Sequence, residues 1–199
     1  RGMIFADGAL ARHYLTHISY YRLRGYWIPF ERPAQILGDH AFAHGTRFED
    51  ILGLYIFDRE LRLLMLDAIE RVEVSIRAAW AHHMAMQHGP HGYLDPAHHV
   101  DEERHRRNQA QLAEEVRRSR DIFLNHYRRK YTDPIEPPIW MAAEILSLGQ
   151  ISKWIGNLPT RDKKKIARPY ELHHDIFTAF LHHLSVVRNI CAHHGRLWN

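Results

Sequence analysis

The chain has 199 residues, of which 45% are apolar and 25% charged, an ordinary globular composition that suits one domain with a substantial core. The formal net charge of +4 and the isoelectric point near 9.3 are mildly basic, which is compatible with a nucleic-acid partner without proving one. No apolar run approaches the roughly 20 residues that cross a bilayer, and the single cysteine, Cys191, excludes an internal disulfide. We therefore predict a cytoplasmic protein without a membrane partner.

The first half of the chain predicts a short helix and then a very long one. The short helix lies within Ala9–Tyr26, and Gly25 and Pro29 indicate a turn after it. The long helix covers Arg47–His88 and stops at Gly89 and Pro90. Its apolar stripe recurs in steps of three and four residues: Leu61, Met65, Ile69, Val72, Ile76 and Trp80. Because a helix of this length spans roughly 60 Å, we expect a bend or a break in it.

The second half predicts further helices and no paired strands. The segments, in chain order, are a second long helix (Asp101–Tyr131), a loop (132–138), a short helix (Ile139–Leu148) ending at Gly149, a further turn or two around Trp154, a basic connector (161–169) and a last helix (Leu172–His193). The second long helix has the core stripe Leu112, Val116, Phe123 and Tyr127. We predict one all-α domain over residues 1–199, a bundle with two long helices as its spine.

The aromatic-rich segment "YYRLRGYWIPF" near the N-terminus has two interpretations. Its rings could stack on unpaired bases of RNA. Their density more simply indicates a packed cap on the bundle, which is the interpretation we favour.

The last helix combines a core face with an unusual polar end. On a helical wheel Phe177, Phe180, Leu184, Val187 and Cys191 share the core face, and Arg188 flanks it. Asn189 and His193 fall on the far side, so Arg188 and His193 are separated by about 140°.

Three arrangements fit this polar end, and for a single histidine on such a face the first of them is the usual one. They are a solvated helix face, a catalytic pair in which the long arginine reaches around a frayed helix end, and a pair completed across a two-fold axis between subunits. Spacing alone does not choose among them.

Histidines are abundant, 18 in all, and many occur as adjacent pairs. The pairs that could meet if their helices pack are His82 and His83, His182 and His183, and His193 and His194. However, no His-Glu-x-x-His arrangement occurs, and Cys191 points towards the predicted core. We therefore predict neither a metal site nor a cofactor.

Two groups of cations are candidates for contacts with an RNA backbone. The stronger group is the basic connector, where one aspartate faces many cations: Arg161, Lys163, Lys164, Lys165 and Arg168. Arg196, just after the last helix, is a further candidate. Arg107, Arg118 and Arg129 lie eleven residues apart on the second long helix, but nearby glutamates favour an ordinary solvated face for them.

Four long segments, in this order along the chain, resemble one protein family. They are "SYYRLRGYWIPF", "LYIFDRELRLLMLDAIERVEVSIR", "PPIWMAAEILSLGQISKW" and "VRNICAHHGRLWN". They resemble the Abi-like abortive-infection proteins, the AbiD/AbiF group, over nearly the whole chain. Members of that family are usually longer at both ends, so the chain is expected to be trimmed, most visibly at Asn199. The family is placed in the HEPN superfamily, whose active members are helical, metal-independent RNases.

The resemblance also implies site residues and partners. The superfamily motif is an arginine, often followed by a polar residue, and a histidine after four to six intervening positions; Arg188, Asn189 and His193 match it, and His194 fits as an alternative. The implied protein is a homodimeric endoribonuclease of abortive-infection defence, or a toxin, with RNA as substrate and an RNA or protein antitoxin as a further partner. The alternative is a module that binds a small structured RNA without cutting it, and a purely structural helical domain is a third possibility.

Overall fold

A computed structural model of the chain describes residues 2–33 and 40–198, so Asn199 lies outside the described residues. The helices, in chain order, are α1 (Gly8–His17), α2 (Tyr20–Trp27), α3 (Phe48–His88), α4 (Glu102–Arg118), α5 (Ile122–Lys130), α6 (Ile139–Ile145), α7 (Leu148–Gly156), α8 (Thr160–Ala167) and α9 (His174–Ala192). In the described ranges, extended pairing is limited to two isolated bridges, Ile4 with Arg47 and Glu31 with Phe42. The predicted all-α class is confirmed. No helix within these ranges has an apolar stretch long enough to cross a membrane.

The backbone groups into two compact units. The first unit comprises the residues up to Leu66 and those from Ile190 onwards, and the second unit comprises Asp67–Asn189. Each unit has its own hydrophobic core.

The core of the first unit is built from α2 and the start of α3. Leu23, Tyr26 and Trp27 are buried with Phe48 and Ile51. The predicted short helix is in fact two helices, because the hydroxyl of Ser19 accepts a hydrogen bond from the backbone of Arg22 and so starts α2. The aromatic-rich segment thus contributes to a core, as the cap interpretation requires, although Tyr21 at 82% exposure does not.

Helix α3 is uninterrupted over 41 residues, so of the two expected alternatives, a bend or a break, the break does not occur. Its interior has no proline, and its surface has ion pairs four residues apart, such as Asp67 with Arg71. In the first unit, two of its most buried side chains are polar: Asp58 and Arg62 are 0% and 5% exposed.

The core of the second unit is centred on three large aromatic rings. Trp154 of α7 lies 5.9 Å from Trp80 of α3 and 5.7 Å from Tyr93, measured between ring centroids. The hydroxyl of Tyr93 donates a 2.7 Å hydrogen bond to the carbonyl of Pro137, which satisfies its buried polar atom.

The prediction of one long helix over Asp101–Tyr131 is wrong, because α4 ends at Arg118 and α5 begins at Ile122. Ser119 adopts an extended backbone, and its hydroxyl bonds to the carboxylate of Asp121, so two residues that favour helix ends replace a helical turn. The interruption changes which side of α5 is buried: Leu124 is 0% exposed, whereas the predicted core residue Phe123 is 38% exposed.

Two further sequence predictions are corrected in the same unit. The basic connector is a helix, α8, with Ile166 and Ala167 buried. Gly149 does not end a helix, because α7 starts at Leu148, where a capping box between Ser147 and Gln150 satisfies the first backbone groups.

The core face of α9 is also shifted slightly from the predicted one. Leu181 is fully buried, and Phe180 is 45% exposed. Phe177, Leu184 and Cys191 are buried as predicted.

A half-buried histidine in the second unit is expected to make the fold sensitive to acid. The ring of His99 stacks on His105 at 4.0 Å, and its Nδ1 lies 3.0 Å from the carbonyl oxygen of Asp95, to which it donates. Its Nε2 is buried and has no partner in the part of the chain that the structure describes. Burial, assisted by the nearby charge of His105, lowers the pKa of His99 to about 4. A proton on Nε2 would therefore be both desolvated and unpaired.

We expect the free energy of unfolding to fall as the pH drops from about 6.5 towards 4. The unfolded histidine binds its proton near pH 6.5 and the folded one only near pH 4, so acid favours the unfolded chain by on the order of 3 kcal/mol below both values. Burial also lowers the pKa of His88, which adds in the same direction. Urea unfolding at several pH values measures the effect. His99→Asn should flatten the profile and the exposed control His126→Asn should not; equal profiles for both would contradict the assignment.

Candidate functional site

The segment 188–195, which contains Arg188, Asn189 and His193, ends helix α9 in an unusual way. The backbone N–H of Gly195 donates to the carbonyl of Ile190 at 2.7 Å, and that of His194 donates to the carbonyl of Cys191 at 3.2 Å. This pair of bonds defines a Schellman motif, whose left-handed position is usually glycine. Here that position is His194, with φ 58°. A side chain in this conformation costs roughly 1–2 kcal/mol, and such residues cluster at functional sites.

Gly195 is required next to this histidine. A Cβ atom at Gly195 would lie 3.1 Å from Cγ2 and 3.2 Å from the carbonyl oxygen of Ile190. The absence of a side chain therefore allows the chain to turn tightly against the last turn of α9.

The segment after the motif is fixed by the buried carboxylate of Asp58. Its Oδ1 accepts hydrogen bonds from the backbone N–H groups of Leu197 at 3.0 Å and Trp198 at 2.6 Å. Its Oδ2 accepts from the hydroxyl of Tyr26 at 2.6 Å and from the guanidinium of Arg62. Burial and the bond to Asp58 raise the pKa of Tyr26, so that its hydroxyl stays a donor at neutral pH.

Arginine side chains also fix the chain at residues 194–196. Arg62 reaches the carbonyl of Gly195 at 3.3 Å, and Arg22 of α2 donates to the carbonyl of His194 at 2.7 Å. Arg196, one of the predicted RNA contacts, donates to the carbonyl of Gly25. The position of His194 thus depends on side chains from α2 and α3 within the first unit.

A cationic cavity opens beside this histidine, and we name it the His194 cavity. It has a volume of about 360 Å³ and is lined by Arg22, Arg59, Arg62, Tyr55, His17 and His194, together with Ile18 and Ser19. None of the described residues that line it carries a carboxylate. The guanidiniums of Arg22 and Arg59 and two imidazoles provide donors for phosphate oxygens, whereas the guanidinium of Arg62 is paired with Asp58.

His193, the predicted catalytic histidine, is exposed in the first unit directly after the last residue of α9. Its neighbour Cys191 is 2% exposed, and burial raises the pKa of the Cys191 thiol. The thiol is therefore a poor nucleophile, whereas the imidazoles of His193 and His194 are both exposed at this point of the chain.

Arg188 and Asn189 lie near the end of α9 in the second unit, and both reach solvent. The Nε of Arg188 is 3.6 Å from Oε2 of Glu73, while its side chain stays 36% exposed. The other oxygen of Glu73 accepts from Arg77 at 2.7 Å, and Arg77 also donates to the carbonyls of Ala143 and Leu146. Glu73 thus pairs with two arginines. Its contact with Arg77 is shorter and more buried than its contact with Arg188.

The predicted RNA-binding cations of the second unit lie on α8. Arg161, Lys164, Lys165 and Arg168 are exposed, and Lys163 is half-buried. The aspartate of this helix, Asp162, is buried against the imidazole of His83, with 2.9 Å between Nε2 and Oδ1. Burial alone would raise the pKa of Asp162, but the bond to His83 and the charge of Arg161 lower it overall. The exposed face of the helix is accordingly cationic.

One group of possible metal ligands occurs within the described residues. His173, His174 and Asp175, at the start of α9, bring three ligand atoms within 4.8 Å of one another. The three residues are consecutive, and two of them are exposed.

The sequence did not point to Asp58, Arg62 or Arg22, although they fix the motif segment. The available signal was an aspartate and an arginine four residues apart in a helix with many other charged residues, which is also the pattern of an ordinary surface ion pair. Only the burial of both side chains separates the two possibilities.

Comparison with known proteins places these residues in a wider context. The family model described as Abi-like protein matches residues 13–199. No curated protein and no solved structure gives a significant match.

Proposed function

The chain belongs to the Abi-like protein family, and on that premise we propose that it is a metal-independent endoribonuclease of abortive-infection antiviral defence, or a toxin of the same chemistry. Arg188 and His193 are its catalytic residues and Asn189 assists them, with His194 as the alternative histidine. The proposal joins the family match to the HEPN-type motif of the last helix.

The main structural support for this proposal is that the side chains of the motif residues are exposed to solvent. Arg188, Asn189 and His193 all keep accessible side chains, whereas Leu184 and Cys191 of the same helix are buried. The motif residues are therefore not needed for core packing, and a substrate can reach them.

RNA is the substrate that this set of groups suits, because its 2′-OH is an internal nucleophile. An imidazole takes the proton of the 2′-OH, the 2′ oxygen attacks phosphorus, the bond from phosphorus to the 5′ oxygen breaks, and that oxygen receives a proton. Arg188 binds the phosphate oxygens on which charge grows in the transition state, and Asn189 donates to the phosphate or orients the imidazole. The products are a 2′,3′-cyclic phosphate and a 5′-OH.

The proposed assembly is a homodimer in the cytoplasm, in which the two motifs face one cleft. Such an arrangement supplies two imidazoles, one as base and one as acid. The cationic face of α8, with Arg161, Lys164 and Arg168 exposed, would bind RNA phosphates other than the one that is cleaved. An RNA or protein antitoxin is the partner expected to restrain such an activity.

We expect the purified protein to cut RNA in the presence of EDTA, because none of the proposed steps uses a metal. Incubation with single-stranded and structured RNA, followed by end-group analysis, should give 2′,3′-cyclic phosphates and 5′-OH ends. Cleavage that stops in EDTA and returns with a divalent cation would contradict the mechanism.

A second candidate function is RNA binding without cleavage, and the His194 cavity favours it. Arg22 and Arg59 line this cavity without a carboxylate among its described lining residues, and such guanidiniums can bind phosphate whether or not a bond is cut. Tight RNA binding at physiological salt with no products after long incubation would support this alternative over the nuclease.

A further inference from the structure

The second unit contains a separate cationic pocket between α4, α7 and α9. Its volume is about 430 Å³. Its polar lining residues include Arg104, Arg107, Asn108, Ser152, Lys153 and His182. Arg188 and His193 are not among its lining residues, so the pocket is distinct from the proposed catalytic motif.

The charge of this pocket selects an anion. Two guanidiniums, an ammonium and an imidazole line it, and no lining residue within the described ranges is acidic. Arg104 pairs with Asp101 at 3.2 Å and Arg107 with Glu103 at 3.8 Å, but these pairs are more than half exposed on the arginine side. Exposed pairs of this kind contribute little, so both guanidiniums are able to turn towards a bound anion.

A buried amide in the wall is a further polar feature of this pocket. Asn108 is only 7% exposed, and its Nδ2 is buried without an acceptor anywhere in the described chain. Buried amide donors are nearly always paired in folded proteins, so an unpaired one in a pocket wall gains an acceptor if its side chain turns towards a bound oxygen atom.

We propose that this pocket binds a phosphate group, carried either by a free nucleotide or by an RNA strand. Phosphate oxygens satisfy both the positive charge of Arg104, Arg107 and Lys153 and the open donor of Asn108. No aromatic side chain lines the pocket in the described residues, so no base is stacked there and no base preference is expected. Phosphate binding at this pocket does not require the proposed RNA cleavage activity.

Calorimetric titration in phosphate-free buffer tests the proposal with three probes: inorganic phosphate, AMP and a 2′-O-methyl oligoribonucleotide that cannot be cut by 2′-OH attack. Lys153→Glu should weaken binding by at least about tenfold, because it places a carboxylate beside the phosphate. Lys130→Glu on α5 makes the same charge change outside the pocket and should leave binding within about twofold.

Binding of AMP that is lost in Lys153→Glu identifies a free nucleotide as the ligand, and loss seen only with the oligonucleotide identifies an RNA strand. Equal affinities of Lys153→Glu and Lys130→Glu for every probe would overturn the proposal. Because the probes are not cleaved, failure of the nuclease proposal leaves this result unchanged.

Asn108→Leu separates a ligand-binding role from a structural one. The change removes the unpaired donor at similar volume, so we expect a higher melting temperature without ligand and weaker phosphate binding. A lower melting temperature with unchanged affinity would mean that Asn108 serves only the fold, and would remove the amide from the proposed site.

Discussion

Replacing His193 with alanine is expected to lower the rate of RNA cleavage by about 10²–10⁴-fold, the usual contribution of a positioned acid or base. Because the side chain is exposed after the end of α9, the free energy of unfolding should not change. Arg188→Ala should lose a comparable factor through the growing charge on the phosphate. Single-turnover cleavage of one defined RNA, with a thermal melt of each variant, measures both quantities.

The matched control is His183→Ala, since His183 is an exposed histidine of the same helix whose Nδ1 lies 2.8 Å from the carbonyl of Ala179. This variant should cut RNA at the parent rate. His194→Ala decides between the two candidate histidines. Full activity in His193→Ala combined with an inactive His194→Ala would show that our choice of histidine is wrong.

Asp58→Ala should destabilise the protein by about 3–5 kcal/mol, the range observed when one partner of a buried ion pair is removed. Asp58 is 0% exposed. Its carboxylate accepts hydrogen bonds from the guanidinium of Arg62, the hydroxyl of Tyr26 and the backbone N–H groups of residues 197 and 198. All of these donors would lose their acceptor at once. Urea unfolding at pH 7.5 gives the change in free energy.

Asp67→Ala is the control for this prediction, because Asp67 forms the same kind of pair on the same helix but at the surface. Its carboxylate and the guanidinium of Arg71 are 64% and 78% exposed. The expected loss is below about 1 kcal/mol. Similar losses for the two variants would mean that burial of the Asp58 network contributes little to stability.

The helical class and the position of the last helix could be predicted because periodicity and stop signals are local properties. Gly89 and Pro90 follow the end of α3 as predicted, and the buried Phe177, Leu184 and Cys191 of α9 were found from their spacing. No other part of the chain is needed to interpret these patterns.

The errors arose where two local signals compete. Ser119 and Asp121 favour a helix end, but the apolar spacing on both sides continues with nearly helical periodicity, so the interruption between α4 and α5 was missed. The basic charges of α8 similarly concealed a helix whose Asp162 and Ile166 are buried.

Much of the candidate site could not be predicted because it is assembled from distant parts of the chain. The motif residues themselves are contiguous and could be found. The residues that bind the chain after the motif, Arg22 and Asp58, lie more than a hundred residues earlier; both fall within family-like segments, but their local sequence does not indicate this contact. The open amide of Asn108 is likewise visible only when its surroundings are known.

The contacts of Asp58 with residues 197 and 198 have a consequence for how this family varies. The aspartate binds main-chain N–H groups, which every amino acid except proline supplies. Substitutions at these two positions can therefore accumulate among relatives without loosening the chain, whereas the aspartate and its arginine four residues later have no such freedom. That pair should persist in distant relatives in which the last residues are no longer alignable.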